Sequence, residues 1–232
     1  MEATEIRKLA ALEDRHWWYA ERRALLARAL RGLGAPGAAL DIGAAGGGNT
    51  RVLRAHGWRP VALEYSTEGA EVARERGLSV MRADARRLPV GTGALDLVTA
   101  FDVLEHIDED HEATAEIFRV LRPGGALLVA VPADMKLWSA HDVAVGHVRR
   151  YDREGLRAVV EKAGLVVDEL WSWNVLLRPI AAWRRRTSTG SDLDDIAAPV
   201  NLGLRAVVAT ERYLPVKSLP GVSLMLRAHR PE

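Results

Sequence analysis

The sequence predicts an α/β fold: a largely parallel sheet with helices on both faces. Three observations predict it. Short apolar runs alternate with segments of helical spacing from about residue 38 to residue 171. The run 95–101 is apolar almost throughout, as a strand buried on both faces must be. The apolar run 38–42 passes straight into the glycine-rich turn Gly43-Ala44-Ala45-Gly46-Gly47-Gly48, which opens a helix.

The elements follow in order. Residues 5–31 carry helical spacing through Ile6, Leu9, Leu12, Leu25, Leu26 and Leu30, interrupted by His16-Trp17-Trp18-Tyr19. A glycine-bounded break at 32–37 precedes strand 38–42 and a helix over 47–56. Strand 60–64 leads to a helix over 67–76, which Ser66 or Thr67 can cap. Strands over 78–82 and 95–101 come next, then a helix over 109–121 that Pro123-Gly124-Gly125 stops. Strand 126–131, a helix over 152–163 ended by Gly164, and strand 165–171 complete the regular part. Residues 174–215 read as helical with a polar break at Thr187-Ser188-Thr189-Gly190-Ser191, and 221–229 is a last strand. The expected division is an N-terminal helical lid segment (1–35), a ligand-binding core (36–173), a helical insertion or lid (174–215) and the final core strand (216–232).

Composition bounds the function. A formal net charge of +1 gives no bulk attraction to nucleic acid or to an anionic membrane. The absence of cysteine excludes disulfides, a thiolate nucleophile and thiolate metal ligation. No run of about 18 apolar residues is present, so no membrane-spanning helix is expected. The polar start Met1-Glu2-Ala3-Thr4-Glu5 lacks the apolar core of a signal peptide, and a cytoplasmic protein is expected.

Three acids fall at predicted strand ends, where ligands of open α/β sheets bind. Asp41 precedes the glycine-rich turn, where a carboxylate would repel a pyrophosphate and suit a cationic amino-acid head. Glu64 lies about twenty residues on, placed to accept from ribose hydroxyls. Asp84, in Arg82-Ala83-Asp84-Ala85, is placed to accept from an adenine amino group.

With Leu40-Asp41-Ile42-Gly43-Ala44-Ala45-Gly46-Gly47, Ala62-Leu63-Glu64-Tyr65-Ser66, Arg82-Ala83-Asp84-Ala85, Leu95-Asp96-Leu97-Val98, Val103-Leu104-Glu105-His106 and Val120-Leu121-Arg122-Pro123-Gly124-Gly125, the chain resembles the class I S-adenosylmethionine-dependent methyltransferases that act on small molecules. The resemblance runs from about Ala38 to Trp173 and extends to the final strand. It implies a Rossmann-like seven-stranded sheet with an antiparallel last strand, S-adenosylmethionine as cofactor and S-adenosylhomocysteine as product. It also implies backbone contacts to the methionine part from Gly43, Ala45 and Gly47, ribose binding by Glu64, and a Tyr65 ring against the adenine. Asp84 and the Ala85 amide would read the adenine edge, and Ala100 and Phe101 would meet the amino and methyl end. Ala45 replaces the family's second glycine. Alanine keeps the close approach provided its φ stays negative.

Two further constellations bear chemistry. Asp102, Glu105 and His106 would share one face of a helical turn at i, i+3 and i+4. No metal is assigned there, although these three are the alternative divalent-ion set. His106 suits a general base or substrate partner. The second is His141-Asp142 followed by Gly146-His147-x-Arg149-Arg150-Tyr151. His106, His141, His147 and Tyr151 are the candidate catalytic residues. Trp18, Tyr19, Arg22 and Arg150 are candidates for a substrate lid. The basic run Trp183-Arg184-Arg185-Arg186 reads as a solvated helix face.

The sequence thus predicts methyl transfer to an O, N or C atom of a small metabolite, with no nucleic-acid partner, no stable membrane insertion and room for a homodimer. The alternatives are an NAD-dependent oxidoreductase, disfavoured by the lack of Gly-x-Gly-x-x-Gly, and a non-catalytic S-adenosylmethionine-binding protein.

Overall fold

The computed structural model describes residue 7, residues 10–187 and residues 196–232. Its elements run α1 (Trp17–Leu30), β1 (Ala38–Ile42), α2 (Gly48–Ala55), β2 (Arg59–Glu64), α3 (Thr67–Glu75), β3 (Val80–Arg82), β4 (Leu95–Phe101), α4 (Asp110–Val120), β5 (Leu121–Pro132), α5 (Ala140–Val145), α6 (Arg153–Lys162), β6 (Val166–Trp173), α7 (Arg178–Thr187), α8 (Ala198–Thr210) and β7 (Ser223–His229). Of the expected early helix, Ile6 and Leu9 lie outside the described residues, as does most of the polar break after Thr187.

The seven strands form one sheet in the order β3-β2-β1-β4-β5-β7-β6. The first five pair in parallel, and β7 runs antiparallel to β5 and β6. The order reverses between β1 and β4, which opens the crevice where such sheets bind ligands.

Alternation along the strands explains why both faces are covered. On one face Leu40, Ile42, Val98, Ala100, Leu127, Val129, Leu224 and Leu226 pack with Ile117 of α4 and Leu156 and Val160 of α6. On the other face Ala39, Leu97, Phe101, Leu128, Ala130 and Met225 pack with Leu26 and Leu30 of α1, Leu53 of α2 and Val208 of α8. Successive side chains point to opposite sides, so a parallel strand between two helical layers must be apolar at nearly every position.

The element ends show the local chemistry. The Ser66 hydroxyl accepts the Gly69 N–H at 3.0 Å and starts α3. Asp152 does the same for Gly155 at 2.7 Å and starts α6. One expectation is corrected. Pro123-Gly124-Gly125 does not separate α4 from a strand at 126, because β5 begins at Leu121. Leu121 pairs with Leu95, and the ladder resumes with Ala126 on Leu97, leaving residues 122–125 as a bulge. A bulge tolerates a proline without an N–H and the positive φ of Gly124 (71°). Strand β3 likewise begins at Val80, two residues late, because the Leu78 N–H donates to Ala73 O (3.2 Å) and closes α3.

Asp96 ties the entry to this sheet. It accepts the Ala38 N–H at 2.7 Å and Arg122 Nε at 2.6 Å. Gly37 must be glycine beside it, since a Cβ there would sit 1.9 Å from the Asp96 carboxylate. Asp96→Ala is expected to lower stability by about 1–3 kcal/mol, read as a reduced urea midpoint with an unchanged slope.

Candidate functional site

The crevice is organised by Asp41. In the parallel register Asp41 lies beside Thr99. It is 1 % exposed, and its two oxygens accept Thr99 Oγ1 and, from α2, Thr50 Oγ1, each at 2.6 Å. Burial pushes the carboxyl up to about 6, against the opposing pull of the two threonines. The acid expected to face a ligand's ammonium is therefore turned into the protein, where it locks β1, β4 and α2 together.

The turn above it follows from that lock. Gly43 donates its N–H to Leu63 O at 2.9 Å, and Gly47 (φ 78°) closes on Ala44 O at 2.7 Å before α2 begins. Ala45 departs from expectation: its φ is +45°, in the left-handed region. Its N–H is spent on the Glu64 carboxylate, which reaches across from the end of β2. Burial raises the Glu64 pKa, and the Ala45 hydrogen bond opposes that rise. Glu13 supplies a further carboxylate, accepting the Gly48 N–H at 2.8 Å at the start of α2. No sequence signal marks Glu13, because the contact spans 35 positions.

A cavity of about 330 Å³ opens at this turn. Gly43, Ala44 and Ala45 form one end, and Phe101, Asp102, His106, His141, His147 and Arg150 form the wall. Its roof is the two irregular segments: Trp17, Trp18, Tyr19 and Arg22 from α1, and Leu177, Ile180 and Arg184 from α7 and the residues before it. Asn201 fastens α8 to α1, accepting the Trp17 N–H at 2.7 Å and donating to Arg15 O at 2.9 Å. The guanidinium of Arg22, 3 % exposed, lies 5.2–5.6 Å from the ring centres of Trp18, Phe101 and Trp173 and pairs with Asp102. Arg185 is not solvated as the basic run suggested. It donates to Leu137 O at 3.0 Å and lies 3.7 Å from Asp142.

The wall holds a histidine cluster. His106 Nδ1 donates to Gly146 O at 3.1 Å, since a carbonyl can only accept. His147 Nδ1 meets Asp142 Oδ1 at 2.8 Å. The rings of His106 and His147 are 4.8 Å apart, and His141 is 6.2 Å from His147. Enclosure in the wall and the neighbouring His147 lower the His106 pKa. Burial would raise Asp142, but His147 and Arg150 hold it below the usual carboxylate range. Beneath the rings Glu105 is fully buried, and burial followed by the Asp102 charge pushes its pKa well up. The expected face of Asp102, Glu105 and His106 does not assemble. Asp102 takes φ +56° and turns to Arg22, while Glu105 and His106 sit in the 3-10 turn Leu104–His106. Instead, ligand atoms of Glu105, His106 and His147 lie within 4.8 Å of one another.

Comparison with known proteins gives this crevice a family. A methyltransferase-domain family model matches residues 40–129. Demethylmenaquinone methyltransferase of Mycobacterium tuberculosis is 33 % identical over 174 residues, 74 % of this chain and 68 % of that protein. The chain belongs to the class I S-adenosylmethionine-dependent methyltransferases. A Mycolicibacterium smegmatis protein named as an S-adenosylmethionine-dependent methyltransferase is 26 % identical over 167 residues, 70 % of this chain. The chain spans 65 % of that relative, just under two thirds of its length. The methyltransferase chain solved in complex with the Haloferax volcanii Trm112 activator superposes with a TM-score of 0.68 at 24 % identity, over 99 % of this chain and 96 % of its own. The cofactor of that family is S-adenosylmethionine.

Several residues assigned from sequence stand outside this cavity. Tyr65 projects into solvent at 72 % exposure. Asp84 is paired with Arg86 at 2.7 Å, which lowers its pKa. Ala85 and Ala100 are buried in the core beside the crevice. Tyr151, expected among the catalytic residues, is instead a core bridge: its hydroxyl donates to Asp110 Oδ2 at 2.6 Å, and Asp110 also holds Arg149. Asp142, quoted in the motif but given no role, proves central, pairing with Arg150 at 2.8 Å as well as with His147. Among the described residues no helix is long and apolar enough to cross a membrane.

Two outcomes check this geometry. Ala45→Gly removes a left-handed alanine and is expected to raise stability by roughly 0.5–1 kcal/mol by urea denaturation. The Asp41 carboxyl titrates at about 6 in the fold and near 3.8 otherwise, so between these values the folded chain keeps a proton the unfolded chain has lost. Stability therefore falls as pH rises through that window. The difference between wild type and Asp41→Asn should move against wild type by about 2 kcal/mol from pH 4 to pH 6, measured by chemical denaturation.

Proposed function

We propose that this chain transfers the sulfonium methyl group of S-adenosylmethionine to an O, N or C atom of a small molecule seated beneath α1 and α7. One observation carries the reading: a single cavity joins the Gly43–Ala45 turn at one end to the histidine cluster at the other. A volume of about 330 Å³ suits a small-molecule site. Its mouth lies where the sheet order reverses.

In this reading Gly43, Ala45 and Gly47 receive the methionine part, and Glu64 turns from Ala45 to the ribose. The adenine rests on the outer rim, between Tyr65 and the Asp84–Ala85 turn. Phe101 and Ala100 border the methyl end. The acceptor's lone pair attacks the methyl carbon opposite sulfur. The carbon–sulfur bond breaks, and sulfur keeps the pair as the thioether of S-adenosylhomocysteine. A proton on the acceptor leaves toward the histidine-lined wall. Alignment supplies most of the acceleration, on the order of 7–11 kcal/mol for well-oriented reactants. Residues 16–30, 174–187 and 196–210 act as a lid that excludes water, and Trp18, Tyr19, Arg22 and Arg150 shape the acceptor's seat.

Calorimetric titration with S-adenosylhomocysteine is expected to show one site of micromolar affinity. Glu64→Ala should weaken it by about 10- to 100-fold, as for loss of hydrogen bonds to a charged acceptor. His106→Ala should lower turnover in an acceptor screen, read as S-adenosylhomocysteine release, with little loss of S-adenosylhomocysteine affinity. Stabilisation of the fold by NADH and not by S-adenosylhomocysteine would overturn the reading.

A further inference from the structure

We propose that Glu105, His106 and His147 form a binding site for a single first-row divalent transition cation, with Zn2+ the best match to the donor set. Gly146 O can only accept, so His106 Nδ1 carries the hydrogen and Nε2 keeps its lone pair. Asp142 receives Arg150 Nη2 at 2.8 Å and the Ser139 N–H at 2.9 Å, so it acts as an acceptor toward His147 Nδ1 as well. The second histidine is thereby left with its Nε2 lone pair, which faces Glu105 Oε1 at 3.8 Å. Both rings are held in the same tautomer by an outer acceptor, the arrangement that orients metal-ligating histidines.

Glu105 is the independent observation. Its side chain is fully buried, and neither carboxylate oxygen has a hydrogen-bond partner among the described residues. A buried carboxylate left in that state is costly unless a cation meets it. The nearby arginines are directed elsewhere, Arg22 to Asp102 and Arg150 to Asp142 and Ala133 O, and although Arg22 Nη1 and Arg150 Nε keep no hydrogen-bond partner among the described residues, neither guanidinium bonds Glu105. What converges on Glu105 is imidazole nitrogen.

Two imidazoles and one carboxylate are the donors of an open divalent site, with the remaining positions free for a water or a substrate atom. The free side here is the cavity, which His106 and His147 line. The ligand atoms spread over 4.8 Å. Around an ion bound at about 2.1 Å they would stand roughly 3.4 Å apart, so the side chains must draw in by about 1 Å. Asp102 is excluded from the set by its pairing with Arg22. A cation here would lower the pKa of a hydroxyl entering the cavity. The site itself does not depend on the methyl-transfer reading.

The test uses the full chain stripped with a chelator and titrated calorimetrically with ZnCl2, and separately with MgCl2. The expected result is one Zn2+ per chain at micromolar Kd or tighter, and weaker Mg2+ binding by at least tenfold. Zn2+ affinity should fall at least tenfold in Glu105→Gln and in His106→Ala and stay unchanged in His229→Ala, whose ring lies outside the cavity. His106 lines the cavity and lies outside the packed apolar core, so its variant is expected to fold even if Glu105→Gln does not. No Zn2+ binding by wild type, or equal binding by His106→Ala, would overturn the site. S-adenosylhomocysteine titrated into the same preparations separates the two readings. Its binding without Zn2+ would sink this inference alone, and Zn2+ binding without it would sink only the methyl-transfer reading.

Discussion

The hydrogen-bonded unit of Asp41, Thr99 and Thr50 is the constraint on which the crevice depends. A carboxylate in the middle of a two-faced sheet is tolerable only with its lone pairs satisfied, and the two hydroxyls do that at 2.6 Å each. One hydroxyl comes from the neighbouring strand and one from the first turn of α2. The unit therefore fixes how far apart β1, β4 and α2 stand. That spacing sets the turn between them, and the turn sets one end of the cavity.

A second buried polar centre sets the other end. Asp142 joins the capping of α5 to Arg150 and His147, so the loop after β5 is built around one carboxylate. Arg149 and Tyr151, its neighbours in sequence, reach the opposite way to Asp110 at the start of α4. Alternating side chains of one extended stretch thus serve two purposes. This anchoring orients the His147 ring with its Nε2 toward the buried Glu105.

The roof has a different physical basis. α1 and α8 are fastened by Asn201 and by the Arg205–Glu21 pair at 3.0 Å, while α7 is fastened to the tip of β5 by Arg178 on Asp134 and on Gly221 O. These polar contacts add to the apolar packing of Leu26, Leu30 and Val208 against the sheet. Arg22 links roof to floor, stacking among Trp18, Phe101 and Trp173 while pairing with Asp102.

The sequence by itself determined the alternation of strands and helices, the span of β4, the cap of α3 and the turn at Gly43–Gly48, because each rests on local periodicity or on a backbone that needs small residues. It also marked Glu64, Asp84 and the two histidine-bearing motifs by chemical type. The bulge at 122–125 escaped it, because a Pro-Gly-Gly that stops a helix and one that bends a strand look alike until the partner strand is present. The positive φ of Ala45, the inward turn of Asp41 and the withdrawal of Asp102 to Arg22 were decided by tertiary structure alone. So was the meeting of Glu105, His106 and His147, since it needs a loop about forty residues away to fold back on the 3-10 turn. Sequence periodicity reports which face a side chain takes within its own element. Which charges and lone pairs end up sharing a buried space depends on packing between elements, and that only the folded chain defines.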